Sequence, residues 1–121
     1  PYDYVLLGGD FNTNTTNENA FNTLSPRFKT SMPHPVDQRG NPGTNANRDK
    51  PYDQVLASTC LAGVQIPTVV GAASFPGGLV VDTRVFADAG TLAHIAPALA
   101  GDSAAPSMQH MAVVKDFLIS P

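Results

Sequence analysis

The sequence has little that would supply covalent cross-links, a membrane anchor or a broad charged surface. A single cysteine, Cys60, excludes an intrachain disulfide and a zinc site built from several thiolates. Charged residues make up only 14% of the 121 residues, and no run of Lys or Arg occurs. A phosphate-rich partner would therefore have to be bound by local groups and a metal ion. No apolar run approaches the roughly 18–20 residues that span a membrane.

The residues that are present fit one small domain with its own core. Apolar residues make up 42% of the chain, the net charge is −3 and the pI is about 5.3. The chain opens directly on an apolar run, with no start methionine and no signal-peptide pattern, so we expect a fragment of a longer protein. Few lysines and many Asn, Thr, Gly and Pro weakly favour an exported protein, and the sequence leaves its location otherwise open.

Short apolar runs separated by turn residues predict a mixed α+β fold. Strands are predicted over residues 4–7, 52–56, 64–70 with a break at Pro67, 79–86 and 111–119. Short helices are predicted from a cap at Asn17 or Asn19 to Leu24, and over residues 91–99. The run at 4–7 is almost continuously apolar, which indicates a strand buried on both faces. Since strands outnumber helices, we expect sheets packed as a sandwich with flanking helices.

Three segments place polar or ionisable side chains at the edge of an apolar strand. They are residues 8–12, 52–56 and 107–114. If these strands are neighbours, Asp10, Asn12, Asp53 and His110 meet at one rim, where strands hold side chains firmly and loops admit substrate. Taken singly, the aspartates are typical turn or capping residues, and the histidine is typical of a structural position. The order and spacing of all three segments favour a site.

In these segments the chain resembles the endonuclease/exonuclease/phosphatase superfamily, which includes pancreatic deoxyribonuclease, abasic-site endonucleases, neutral sphingomyelinases and inositol polyphosphate phosphatases. Residues 9–12 match its Gly-Asp-Phe-Asn signature, and residues 52–56 are similar to its Asp-x-Ile/Val strand. Residues 107–113 are similar to its closing Ser-Asp-His-x-Pro-Val motif, and residues 82–85 fit the strand before it. The resemblance implies that residues 1–121 are the C-terminal half of one such domain, half of a four-layer α/β sandwich of mostly antiparallel sheets.

The resemblance also implies a reaction, which is divalent-metal-dependent hydrolysis of a phosphate ester with Mg²⁺ or Mn²⁺ as cofactor. The first expected substrate is the backbone of DNA or RNA. Asp10 would activate the attacking water or bind the metal, and Asp53 would orient His110. Asn12 and His110 would contact the phosphate, and Asn12 would also hold Asp10. Further phosphate contacts would come from the proline-rich segment 31–51, with Arg48 ahead of the other candidates, which are His34, Arg39 and Lys50.

Two departures from the superfamily pattern leave alternatives open. Gln109 stands where the family has an aspartate, so the metal ligands of this chain would be Asp10 and, weakly, Gln109; Asp102 is a possible substitute. The family's principal metal-binding Glu belongs to the first half of the domain, so the isolated chain is expected to be inactive. The N-terminal half, possibly as a separate piece, would then be a partner. The alternatives are a phosphomonoesterase or lipid phosphodiesterase of the same superfamily, and a non-catalytic relative that binds a partner.

Overall fold

A computed structural model of the protein describes residues 3–86 and 89–120, which form a mixed α+β fold. Three short helices are described: α1 (Asn19–Leu24), α2 (Thr59–Ala62) and α3 (Ala89–Ala93). Eight short strands are described: β1 (Leu6–Asp10), β2 (Asp53–Ala57), β3 (Gln65–Ile66), β4 (Thr68–Val70), β5 (Ala73–Phe75), β6 (Leu79–Val81), β7 (Ala112–Val114) and β8 (Asp116–Phe117). None of the described helices has the length and apolar character needed to cross a membrane.

The strands form four antiparallel pairs, which are β1–β2, β3–β8, β4–β5 and β6–β7. In the first pair Leu6 lies opposite Ala57 and Asp10 lies opposite Asp53. β2 also contacts β7, so the β1–β2 and β6–β7 pairs are neighbours. The arrangement brings the start of β2 close to the start of β7, although about sixty residues of chain separate them.

The core is small and lies around β6. Leu79 and Val80 are each 1% exposed, and Leu79 packs with Val70 and Phe75 in one buried cluster. This burial follows from the pattern of the sequence, because residues 79–81 form a continuous apolar run with no polar residue to face water. Met111 and Leu56, 3% and 4% exposed, extend the buried surface beneath β7 and β2.

The prediction that the first apolar run is buried on both faces was wrong. Tyr4, Val5 and Leu6 are exposed at 51%, 44% and 54%, and the strand is displaced, running over Leu6–Asp10. Among the described residues β1 pairs only with β2, so its other edge and part of its apolar surface remain open. Local hydrophobicity predicted the strand, but burial depends on what packs against it.

Two of the predicted strands are shorter than expected. The run at 79–86 ends at Val81, because the Asp82 carboxylate accepts a hydrogen bond from the Arg84 backbone N–H and begins a 3₁₀ turn at Thr83–Val85. The run at 111–119 is divided into β7 and β8 at Lys115. The break predicted at Pro67 was confirmed, since β3 ends before it and β4 begins after it.

The two predicted helices occur where they were expected, but their caps and end residues differ from the prediction. α1 ends at Leu24 as expected and buries Phe21, but its N-cap is Glu18, without a side-chain capping bond, and not Asn17 or Asn19. α3 spans Ala89–Ala93, so it begins and ends earlier than the predicted 91–99. A helix this short gains little from its own hydrogen bonds and is held by packing.

Segment 31–51 contains little regular structure, and a network of salt bridges holds it against the rest of the domain. The Arg48 guanidinium donates to Asp82 at 2.8 Å and to Asp37 at 2.5 Å, and all three side chains are at least nine-tenths buried. Arg84 binds the same Asp82 carboxylate at 2.8 Å. Burial by itself raises the pKa of Asp82, but the hydrogen bonds from Arg84 and Arg48 outweigh it and lower that pKa overall. The segment is therefore an integral part of the fold and not a plain surface excursion.

Replacing Arg48 with Ala should strongly destabilise the protein, because it leaves Asp37 without its cation and Asp82 with only one. We expect a loss of about 3 kcal/mol in the free energy of unfolding, measured by urea denaturation. Arg39→Ala is the matched control, since Arg39 is exposed and lies in the same segment; it should change stability by no more than about 0.5 kcal/mol. Equal effects of the two substitutions would contradict the structural role of Arg48.

Candidate functional site

Strand pairing sets two carboxylates against each other at one end of the β1–β2 sheet. Asp10, the last residue of β1, lies directly opposite Asp53, the first residue of β2. Like charges directly opposite each other in an antiparallel pair are destabilising. A cation in this position would remove that repulsion.

His110 lies beside these carboxylates and is a cation when its ring is protonated. It lies just before β7, where it forms an isolated antiparallel bridge with Asn45. Its Nδ1 is 3.0 Å from one Asp53 carboxylate oxygen and 3.2 Å from the other. One ligand atom from each of Asp10, Asp53 and His110 lies within 4.8 Å of the others. The structure thus brings together three of the predicted site residues, and we refer to them below as the Asp–Asp–His cluster.

The hydrogen bond with Asp53 raises the pKa of His110 above its ordinary value of 6.5. The negative charges of Asp53 and Asp10 act in the same direction, while slight burial opposes them. The side chain is 41% exposed, so the ring is open to solvent. Because Nδ1 is engaged by Asp53, Nε2 is the ring nitrogen that remains to donate to another group.

The backbone conformation at the end of β1 explains the residue types at positions 9–12. Gly9 has φ of +152° and Asn12 has φ of +53°, and Gly and Asn are the residues that adopt such angles most readily. The Asn12 backbone N–H donates to the Asp10 carboxylate at 2.7 Å. Phe11 stacks on Phe21 with ring centroids 6.2 Å apart. Asn12 was expected to hold Asp10, and its main-chain N–H makes a contact with that carboxylate.

Thr44 positions both sides of the site, and sequence reasoning missed it. Its hydroxyl accepts from the Asp53 backbone N–H at 2.7 Å, and its carbonyl accepts from the Met111 backbone N–H at 2.7 Å. The side chain is only 1% exposed. The neighbouring Gly43 is needed for this close packing, because a Cβ there would lie 2.4 Å from the Arg48 carbonyl oxygen. A threonine in a polar loop has no pattern that marks it as buried.

An aromatic ring and a lysine adjoin the cluster. The Tyr52 ring lies 6.3 Å from the His110 ring, measured between centroids. The Lys50 ammonium lies 5.8 Å from the centroid of the Tyr52 ring, which is a cation–π distance. Of the basic residues predicted to contact phosphate, Lys50 is thus connected to His110 through Tyr52.

The other predicted residues occupy different places. Arg48 is bound by Asp37 and Asp82, which argues for a structural role and against the phosphate contact expected from the sequence. Asp102 accepts from the Leu99 backbone N–H at 2.8 Å, within a local turn. Arg39 and Gln109 are exposed, and His34 is half-buried near two lysines. The contribution of Gln109 to metal binding stays a prediction.

A shallow cavity of about 470 Å³ borders His110 and Asp53 at this edge of the sheet. Its walls are the backbone of Gly8 and Gly9 on one side and residues 111–113 on the other. Because glycine has no side chain, nothing projects from this first wall into the cavity.

The donor atoms fit a magnesium-like cation at Asp10 and not at His110. Mg²⁺ and Mn²⁺ prefer oxygen ligands, and Mg²⁺ commonly keeps several waters beside one or two carboxylates. One Asp10 oxygen accepts from the Asn12 N–H, which leaves the other oxygen for a cation. Both Asp53 oxygens face the His110 ring, whose raised pKa favours the protonated form, so a metal ion would have to displace that proton to bind the ring. The cluster alone therefore offers one strong ligand.

Comparison with protein-family models, with curated proteins and with solved structures found no match for this chain. The superfamily resemblance accordingly depends on the three sequence motifs and stays a prediction.

We predict that two histidines titrate on opposite sides of pH 6.5, with His110 above it and His34 below it. Burial and then the charges of Lys115 and Lys29 lower the pKa of His34, whereas the Asp53 contact raises that of His110. Asp53→Asn should lower the pKa of His110 and leave that of His34 unchanged, as followed by NMR of the imidazole carbons.

The same shift predicts a pH-dependent stability. A group whose pKa is raised on folding stabilises the protein most below its unfolded value, here 6.5, and this effect is lost as pH rises through the folded-state pKa. The difference in unfolding free energy between the parent protein and Asp53→Asn should therefore shrink from acidic to alkaline pH. A difference that grows with pH would contradict the Asp53–His110 interaction.

Proposed function

We propose that this chain carries part of the active site of a divalent-metal-dependent phosphodiesterase that hydrolyses the backbone of DNA or RNA. The observation that carries the proposal is the Asp–Asp–His cluster, whose ligand atoms lie within 4.8 Å of one another at an open edge of the sheet. Its members come from three distant places in the sequence, and each belongs to a different motif of the resemblance.

In this proposal His110 binds and stabilises the phosphoryl group. Asp53 holds Nδ1 and favours the imidazolium, so that Nε2 carries a proton toward a phosphate oxygen. A positive donor placed there offsets the charge that develops on the oxygens as water attacks phosphorus. Asp53 acts through His110 and is a positioning residue.

Asp10 is the group that accepts a proton from the attacking water or holds the metal ion. Its first oxygen is fixed by the Asn12 N–H, and that bond orients the second oxygen. A bound Mg²⁺ or Mn²⁺ would supply Lewis-acid stabilisation of the phosphoryl and leaving oxygens. Asn12 is exposed, which leaves its side-chain amide available for a phosphate oxygen.

We further propose that the site is completed by a second half-domain, in a four-layer α/β sandwich. Two observations support this. The cluster supplies one strong metal ligand, whereas metal-dependent hydrolysis needs a firmly held ion. The apolar side chains of Tyr4, Val5 and Leu6 are about half-exposed at the start of β1, which among the described residues pairs on one edge, as expected for a surface that another part of the protein covers.

A polymeric, negatively charged substrate is favoured by Lys50 and Tyr52. The lysine brings positive charge to the edge of the cluster, and the tyrosine offers an aromatic face beside His110. A phosphomonoesterase or a lipid phosphodiesterase would use the same catalytic chemistry, so these alternatives differ from a nuclease only in substrate. A binding protein without turnover is the remaining alternative, and Gln109 is its main support.

Cleavage of plasmid DNA and of an RNA oligonucleotide by the complete protein, with Mg²⁺ or with EDTA, tests this function. We expect cleavage that EDTA abolishes and that His110→Ala lowers by about a hundredfold or more, given what a positioned acid or base contributes. Asp102→Ala is the matched control, because the contact of the Asp102 side chain within the described residues is a local one with Leu99; the rate of this variant should stay near that of the parent protein.

Other outcomes of the same assay reject parts of the proposal. Intact nucleic acid together with rapid hydrolysis of a phospholipid or an inositol phosphate would reject the nuclease assignment and keep the chemistry. Unchanged activity of His110→Ala would reject catalysis by the cluster and favour the non-catalytic alternative.

A further inference from the structure

A second polar cavity lies at the opposite end of β2 from Asp53. The Lys29 backbone N–H donates to the carbonyl of Ala57, the last residue of β2, at 2.8 Å. Beside this contact is a cavity of about 580 Å³, and its lining includes Phe28, Lys29 and Lys115. None of its lining residues belongs to the Asp–Asp–His cluster.

The cavity carries positive charge that no carboxylate balances. Two of the chain's three lysines line it, in a protein whose net charge is −3. Within residues 3–86 and 89–120, no Asp or Glu lines the cavity, and neither lysine forms an ion pair with an acidic side chain. Arg48, by contrast, is paired with two aspartates. The cavity therefore differs from the usual pattern, in which a shielded charge lies close to its counterion.

The charges in this region also repel one another. Burial, followed by the charge of Lys29, lowers the pKa of Lys115, and the half-buried His34 is disfavoured as a cation by burial and by both lysines. An anion in the cavity would offset this repulsion and favour the protonated form of Lys115.

We propose that this cavity binds the phosphate group of a small organic molecule, at a site separate from the Asp–Asp–His cluster. Two ammonium groups suit a dianion, and Thr30 and Ser31 add hydroxyl donors to the lining. The volume is within the range of roughly 300–1,000 Å³ found for small-molecule sites, and it leaves room for more than a free phosphate ion. Phe28 provides an apolar wall for the organic part.

The test is titration of the protein with inorganic phosphate and with phenyl phosphate at constant ionic strength, followed by calorimetry and by backbone NMR. We expect saturable binding, tighter for phenyl phosphate because its ring can contact Phe28. The shifted amides should be those of Lys29, Ser31 and Lys115, with those of Gly9 and His110 unchanged.

Matched variants test whether the phosphate binds in this cavity. Lys29→Gln and Lys115→Gln should each weaken phosphate binding about tenfold or more, the effect of losing one charge-assisted contact. Lys50→Gln removes the same charge elsewhere and should leave the affinity within about twofold. Lys29 is exposed, so its replacement tests the site even if the Lys115 variant does not fold.

Three results would overturn the proposal: the absence of saturable binding, equal weakening by Lys50→Gln, and loss of binding in His110→Ala instead of Lys29→Gln. The last result would assign the phosphate to the Asp–Asp–His cluster. Because the readout is binding, it does not depend on catalytic activity.

Discussion

Two carboxylates face each other across the β1–β2 pair, and the imidazole of His110, when protonated, is the group that offsets their charge. Asp10 and Asp53 are exact strand partners, so the sheet itself imposes their repulsion. The bond between His110 and Asp53 offsets it and raises the pKa of the ring. In the proposed function the same three groups would provide a proton donor, its positioning carboxylate and a carboxylate that takes a proton or a cation. The three groups that set the electrostatics of the strand ends are thus the same groups to which the proposed chemistry is assigned.

The position of the Asp–Asp–His cluster depends mostly on buried polar contacts. Thr44, fully buried, bonds to the backbone on both sides of the cluster and keeps β2 and the start of β7 at a set distance. Arg48 holds the rest of segment 31–51 by binding Asp37 and Asp82. In a domain of this size, with a small apolar core, such buried polar contacts specify the position of a loop that hydrophobic burial alone would leave undefined.

The cations of the chain divide into two kinds, and the difference decides what each is proposed to do. Arg48 is buried with its counterions, so its charge is used within the fold. Lys29 and Lys115 line a cavity in which no carboxylate occurs among the described residues, so we propose that their charge is available to a ligand. From the sequence, Arg48 was expected to contact a substrate phosphate, since it lies in a polar loop beside other basic residues. A charge indicates a binding site when it is accessible and unpaired, and both properties are tertiary.

The sequence by itself determined the features that depend on neighbouring residues. The break at Pro67 and the α+β character follow from backbone preferences and apolar runs, which are local. Only the tertiary structure decided that the first strand is exposed, that Arg48 is buried and that Thr44 positions the site. Each of these depends on partners many residues away, because burial and ion pairing are set by which surfaces meet and not by the order of residues along the chain.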